Sequence, residues 1–288
     1  MEQATNLTDN YQVTNKLTSK LPNQALKVST AIWFITVLLG QWFFFYFIMA
    51  FYGSSVINDN MEIWNRWEAF GVTPYKAGDI SGNLAFAAHA IGAGIVALGG
   101  ALQIMPQVRT RFPKFHKING YAFITTVVCL SLSGFYLVWF RDATDPIKLS
   151  DIGTSINGVL ILAFAYLTIS RVIKKDIKNH RKWAIRLFLV SNAQWFLRLG
   201  VFSYFVTGTM LGFKPAMGDP FFPMWTFGCF VLPLLTAEMY FYANEKGGAK
   251  FKYTVSGIMT ALSILMVLGM LGFTPFLLTV LNGGDISL

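Results

Sequence analysis

Seven apolar stretches dominate the chain, at about 28–52, 80–105, 118–140, 153–172, 183–207, 222–244 and 254–276, separated by shorter polar segments. Each holds about 20 residues or more, enough for a helix rising ~1.5 Å per residue to cross a hydrocarbon layer ~30 Å thick. The pattern predicts an all-α, polytopic membrane protein with seven transmembrane helices. Residues 1–27 are polar and lack the apolar core and small-residue cleavage site of a signal peptide, so they read as a cytoplasmic tail. Residues 28–276 then form the membrane domain and 277–288 a short outer tail.

Composition agrees: 54% of the residues are apolar and 13% charged, against about 25% charged in soluble domains. A soluble enzyme, a secreted disulfide scaffold and a disordered chain are excluded. Cys129 and Cys229 both fall inside apolar stretches, where cysteine is an ordinary small apolar residue.

The formal net charge of +9 would raise the question of nucleic acid in a soluble protein. Here its distribution explains it. Of the 23 Lys and Arg, 16 lie in the tail and in segments 106–117, 171–182 and 245–252. Five occupy the alternate segments: Arg66, Lys76, Arg141, Lys148 and Lys214. Arg186 and Arg198 lie inside the fifth stretch. The positive-inside rule therefore puts the amino terminus in the cytoplasm and the carboxyl terminus outside, with no nucleic-acid partner implied. Only an odd helix count sustains this asymmetry.

The longest outer loop, 53–79, carries Trp64, Trp67, Phe70 and Tyr75 with the carboxylates Asp59, Glu62, Glu68 and Asp79. An interfacial aromatic belt is the ordinary reading of such residues; a ligand lid or docking surface is the alternative.

Ionisable groups inside a spanning helix cost ~2.5–3.5 kcal/mol each on insertion scales, which makes them functional candidates. His89 and Gln103 are 14 residues apart in the second stretch and share a face with Gly92, Ala93, Val96, Gly99 and Gly100. Small residues there let a helix or a flat ligand approach the backbone. In the fifth stretch Ser191, Gln194 and Arg198 follow i, i+3, i+7 spacing. Arg186 lies near the inner surface, within snorkelling reach. Arg198 lies ~18 Å further along the axis and needs the outer surface, an anion or a carbonyl. Glu238 pairs with Arg186 or a loop Lys, stays neutral, or carries protons.

His116 and His180 immediately precede the third and fifth predicted helices, at the same cytoplasmic depth and among cations. Two such imidazoles on facing helices suit a bis-histidine haem b whose propionates meet the cations; solvated loop histidines are the alternative. A zinc site using all three histidines is strained, because His89 sits ~21 Å from Gln103 at the inner end.

The run His89-Ala90-Ile91-Gly92, Gly99-Gly100-Ala101-Leu102-Gln103 and His116-Lys117-Ile118-Asn119-Gly120 resembles the signature of a bacterial family of predicted multi-pass membrane proteins of unknown function. A second signature matches at His180, Arg181, Trp183, Arg186, Arg198 and Leu199, so the likeness covers about 80–205. It implies a multi-pass fold in a bacterial cytoplasmic membrane and no activity. The arrangement is also similar to transmembrane haem b cytochromes of the ascorbate-reducible type. That family pairs histidines on its second and fourth core helices, whereas 153–172 here contains no His and only Asn157 as a strongly polar residue. At most one haem then has clear ligands.

The expectation is a membrane electron-transfer protein or oxidoreductase subunit. Haem b would be held by His116 and His180, and a quinone or second cofactor would lie near His89, Gln194 and Arg198; Gln103 and Arg186 belong to the same cofactor-binding set. An accessory subunit of a larger membrane complex, or a small transporter, is the alternative.

Overall fold

The computed structural model describes residues 2–70, 73–143 and 146–282, and their side chains except at 2–19 and 67–70. The helices are α1 (Glu2–Ile48), α2 (Ser54–Ile57), α3 (Ile80–Ile104), α4 (Pro106–Arg111), α5 (Pro113–Tyr136), α6 (Leu149–Ile173), α7 (Ile177–Ser191), α8 (Ala193–Met210), α9 (Phe221–Glu245) and α10 (Ala249–Leu281). Among the described residues, six helical segments are long and apolar enough to cross a membrane. They are Lys20–Ile57, Ile80–Ile104, Pro113–Arg141, Leu149–Ile173, Phe221–Glu245 and Ala249–Leu281.

The fifth apolar stretch differs from the single helix its hydropathy predicts. It is split between α7 and α8 at Asn192, whose backbone leaves the helical region (φ −101°, ψ 14°). The Asn192 amide donates to the Phe188 carbonyl at 2.7 Å, the local side-chain bond by which Asn competes with a helical ladder. Below the break α7 packs along α6, and above it α8 packs along α10.

Helix starts follow the sequence. Asp79 caps α3 by accepting from Gly82 N–H at 2.8 Å, and Asp176 caps α7 through Asn179 N–H. Pro106 and Pro113 open α4 and α5, where a missing N–H costs nothing. The ends run past the hydropathy limits. Leu26 packs into a cluster with Ala243, Val255 and Met259, so the last part of the expected tail is built into the bundle. Likewise Leu277 and Val280 are buried in α10, inside the expected outer tail.

Contacts between connecting segments sort into two ends. At one, Arg141 reaches Asp79, Lys76 reaches Asp142, and Arg66 donates to the Val280 carbonyl. At the other, Lys178 and Lys182 meet Glu245, and Lys252 meets Asn23. These are the same two groups that the charge pattern separates.

Lipid tails are as apolar as leucine, so helices in a membrane associate through close packing. The glycine stripe of α3 supplies it. A Cβ at Gly92 would stand 2.8 Å from Leu130, one at Gly99 would stand 3.1 Å from Asn119, and one at Gly100 would stand 2.7 Å from Phe123. The stripe is therefore filled by α5. On the far side an aromatic core joins Phe44, Phe47, Trp195, Phe202 and Phe273 across α1, α8 and α10.

The 53–79 segment is folded inward. Trp64 is wholly buried against Tyr52 and Phe86 and donates to Ser55 Oγ at 2.5 Å, which corrects the belt reading for this residue. Asn65 holds Tyr75 by two backbone bonds. The side chains of Trp67, Glu68 and Phe70 lie outside the described residues.

Candidate functional site

A cavity of about 90 Å³ lies where α3, α5 and α6 face the α7–α8 break, with Phe44 of α1 closing one side. That volume corresponds to about three waters. Its polar lining comes from His89, Ser131, Thr154, Ser155, Asn157, Ser191, Asn192 and Gln194. His89 stands nine residues inside α3, ~14 Å from that helix's start.

His89 Nδ1 is 2.9 Å from Ser133 Oγ, and Ser133 Oγ is 3.1 Å from the Leu130 carbonyl. A hydroxyl has one proton. Given to Leu130, it makes the serine oxygen an acceptor for Nδ1–H; given to His89, it places the imidazole proton on Nε2. Two further lining residues carry unused groups: Asn157 Oδ1 and Trp195 Nε1 are buried without hydrogen-bond partners. Gln41, fully buried one turn before Phe44 in α1, has neither amide atom bonded. A buried polar atom left unpaired costs ~1–3 kcal/mol.

Gln194 and Arg198 border this site as one unit. Arg198 Nη1 donates to the Gln194 carbonyl at 3.0 Å, and its guanidinium lies 5.2 Å from the centre of the Phe44 ring. The charge is thus met by a carbonyl and a π face. No ion pair to Arg198 is formed among the described residues.

The remaining expected site residues gather at the opposite end of the bundle. Gln103 Nε2 donates to the His116 carbonyl at 2.9 Å and Asn119 donates to the Gly99 carbonyl at 2.9 Å, tying α3 to α5 twice. His180 Nδ1 donates to the Thr168 carbonyl at 3.0 Å, which leaves its Nε2 lone pair free. His116 Nδ1 is buried without a partner, and Arg109 and His180 lie within electrostatic reach of His116. Burial, then the charge of Arg181, pulls Arg109 below the usual guanidinium value. Arg186 is engaged by both oxygens of Glu238, at 2.6 and 2.9 Å, which selects the first of the alternatives for Glu238.

The structure therefore brings His89 and Gln194 to one cavity, with Arg198 beside them. It holds Gln103, His116, His180 and Arg186 apart from it. Among the described residues no group of three or more His, Cys, Asp or Glu side chains is placed to hold a metal ion. The residues that sequence reasoning passed over are Gln41, Ser131, Ser133 and Trp195. Polar residues within apolar runs were the available signal, but single serines and one tryptophan are too common in spanning helices to stand out.

A family model described as a predicted membrane protein (DUF2306) matches residues 86–241, more than half of the chain. That span contains every residue of the cavity's polar lining. No curated protein and no solved structure matches.

Proposed function

The chain belongs to the DUF2306 family of predicted membrane proteins, and from that premise we propose that it is a membrane-embedded electron-transfer protein or oxidoreductase subunit that takes a quinone head group in the central cavity. The carrying observation is the cavity itself: a partly polar space at mid-helix depth, beside a helix break, with unused hydrogen-bonding groups in its wall. A quinone ring fits that chemistry because it is flat, neutral and lipid-soluble, and its two oxygens need hydrogen-bond partners that lipid does not offer. Gln194 in the wall supplies a donor toward a carbonyl oxygen, and Arg198 stands beside it, bonded to its backbone carbonyl.

In the same reading α7 and α8 cross the bilayer as one broken span, which makes seven crossings. The excess of basic groups at the Glu245 end supports a cytoplasmic amino terminus, an outer carboxyl terminus and a bacterial cytoplasmic membrane.

Haem b is the cofactor that this reading attaches to His116 and His180. The free Nε2 of His180, fixed by the Thr168 carbonyl, has the orientation support that an iron ligand requires. Arg109 and Arg181 supply cations for propionates. When bound, haem b supplies one-electron chemistry. Neither histidine lines the central cavity, so the two sites have separate tests. A reduced-minus-oxidised spectrum of protein produced with iron and haem supplied tests the first; the absence of an α-band overturns it. Equilibrium binding of decylubiquinone to protein in nanodiscs tests the second.

One observation favours a second reading. Broken helices beside a polar cavity are the usual substrate sites of secondary transporters, and α7–α8 has that form. Uptake of small neutral solutes into proteoliposomes is its assay.

A further inference from the structure

Arg198 leaves one edge of its guanidinium unused. Its Nη1 donates to the Gln194 carbonyl at 3.0 Å, with Gln194 Oε1 at 3.5 Å, and its Cζ lies over the Phe44 ring, 5.2 Å from the centroid. The carbonyl takes one nitrogen and the ring takes one face. Nε and Nη2 donate to no described residue, and neither is an enclosed atom, so this edge is open. The ion pairs among the described residues use Lys76, Arg141, Arg171, Lys178, Lys182 and Arg186. The ionisable side chain within electrostatic reach of Arg198 is Tyr52, a phenol that is neutral at ordinary pH.

The same edge is filled in Arg186, where Nε and Nη2 hold the two Glu238 oxygens at 2.6 and 2.9 Å. Two parallel donors match the geometry of a carboxylate and discriminate it from a single acceptor. A cation within a spanning segment needs such a counter-ion, because the hydrocarbon supplies none. From Arg198, α8 continues ~18 Å to its end at Met210. In a core ~30 Å thick that is deeper than lipid headgroups lie, so the acid must itself dissolve in hydrocarbon. Val201 and Phe205 continue the Arg198 face of α8 at i+3 and i+7, both partly exposed, and offer an apolar strip to its chain. Gln194, exposed one turn earlier, adds a neutral amide beside the head.

We infer that Arg198 is a binding site for the carboxylate of a membrane-soluble, single-chain acid, held by its Nε and Nη2 with the chain along Val201 and Phe205. The Gln194 carbonyl and the Phe44 ring position the guanidinium. The depth argument rests on the reading of α7–α8 as one broken span; the quinone reading of the cavity plays no part in it.

The test is tryptophan quenching of the full-length protein in phosphatidylcholine nanodiscs by dibromostearate and by its methyl ester, which enters the bilayer without a carboxylate. The expected result is a saturable component for the acid that the ester lacks. Arg198→Gln should weaken the acid by at least about tenfold. Arg198→Lys, which keeps the charge and loses the fork, should restore only part of the affinity. Without ligand, Arg198→Gln should raise the melting temperature, because it removes a charge that has no counter-ion. A lower melting temperature with acid binding intact would assign Arg198 to helix packing and overturn the inference. Equal, unsaturable quenching by acid and ester overturns it too. Displacement of dibromostearate by an equal concentration of butyrate would trace the carboxylate to the water phase and overturn the membrane-soluble assignment. Decylubiquinone binding is measured separately, so the quinone reading stands or falls without this result. Because the comparison of acid with ester uses the unaltered protein, a variant that fails to fold does not remove the test.

Discussion

Arg186 and Glu238 form a two-point ion pair, with Nε to Oε1 at 2.6 Å and Nη2 to Oε2 at 2.9 Å. The guanidinium also lies 4.4 Å from the centre of the Trp183 ring. The pair ties α7 to α9 at the end where Lys178 and Lys182 hold Glu245, so the lower half of the broken helix is anchored by charge. Glu238 is half exposed, which limits the Coulombic gain. A double-mutant cycle of Arg186→Met and Glu238→Gln should give a coupling of about 1 kcal/mol in thermal unfolding. A coupling near zero would show that the pair does not fasten the helices.

Gly100 sits where α3 meets α5 and α7, with Phe123 2.7 Å and Phe188 3.2 Å from the place a Cβ would occupy. Gly100→Ala should destabilise the protein by about 1–3 kcal/mol, because both rings belong to the buried core and have little room to retreat. Gly257, whose added Cβ meets nothing within 4 Å, is the matched control, and Gly257→Ala should be neutral or mildly stabilising. Equal melting shifts for the two variants would refute the packing role of the stripe.

At the end of the bundle opposite Glu245, Arg141, with its side chain almost wholly buried, donates to Asp79 at 2.8 Å, to the Pro74 carbonyl at 2.8 Å and to Asn83 Oδ1 at 2.7 Å. The hydrogen bond from Arg141, followed by that from Gly82 N–H, holds the Asp79 carboxyl below its ordinary value near 3.8. A folded pKa below the unfolded one adds stability above the ordinary carboxylate range, and that contribution is lost as pH falls through the folded value. Asp79→Asn should therefore lower the melting temperature at pH 7 and flatten the part of the acid loss below about pH 4 that Asp79 causes. An unchanged acid limb would remove Asp79 as a contributor.

The proposed seven-crossing topology has a direct chemical check. In a Cys129→Ser, Cys229→Ser background, a cysteine placed at Phe213, after α8, should react with a membrane-impermeant maleimide in intact cells, and one placed at Lys174, before α7, should react only after lysis. Labelling of both, or of neither, in intact cells would mean that α7–α8 does not cross.

Much of the architecture was legible in the sequence because a bilayer imposes its terms one segment at a time. Length and hydropathy fix each span locally, and the loops sort by charge without reference to neighbours. The break at Asn192 escaped because a hydropathy window averages over it, and because the bond that stabilises the break is made by one side-chain amide to one carbonyl. The inward folding of Trp64 escaped for a related reason: Tyr52 and Phe86, which receive it, are remote from it in sequence and become neighbours only when α1 and α3 pack.

The sequence by itself determined that the chain is a helical membrane protein and that His89, Gln194 and Arg198 are polar residues within apolar stretches. Only the tertiary structure decided that His89 and Gln194 border one cavity, that Arg186 is taken by Glu238, and that Ser131 and Ser191 donate to carbonyls of their own helices. The physical reason is that insertion into a bilayer depends on each segment's own side chains, whereas the direction of a hydrogen bond depends on what a second element places opposite.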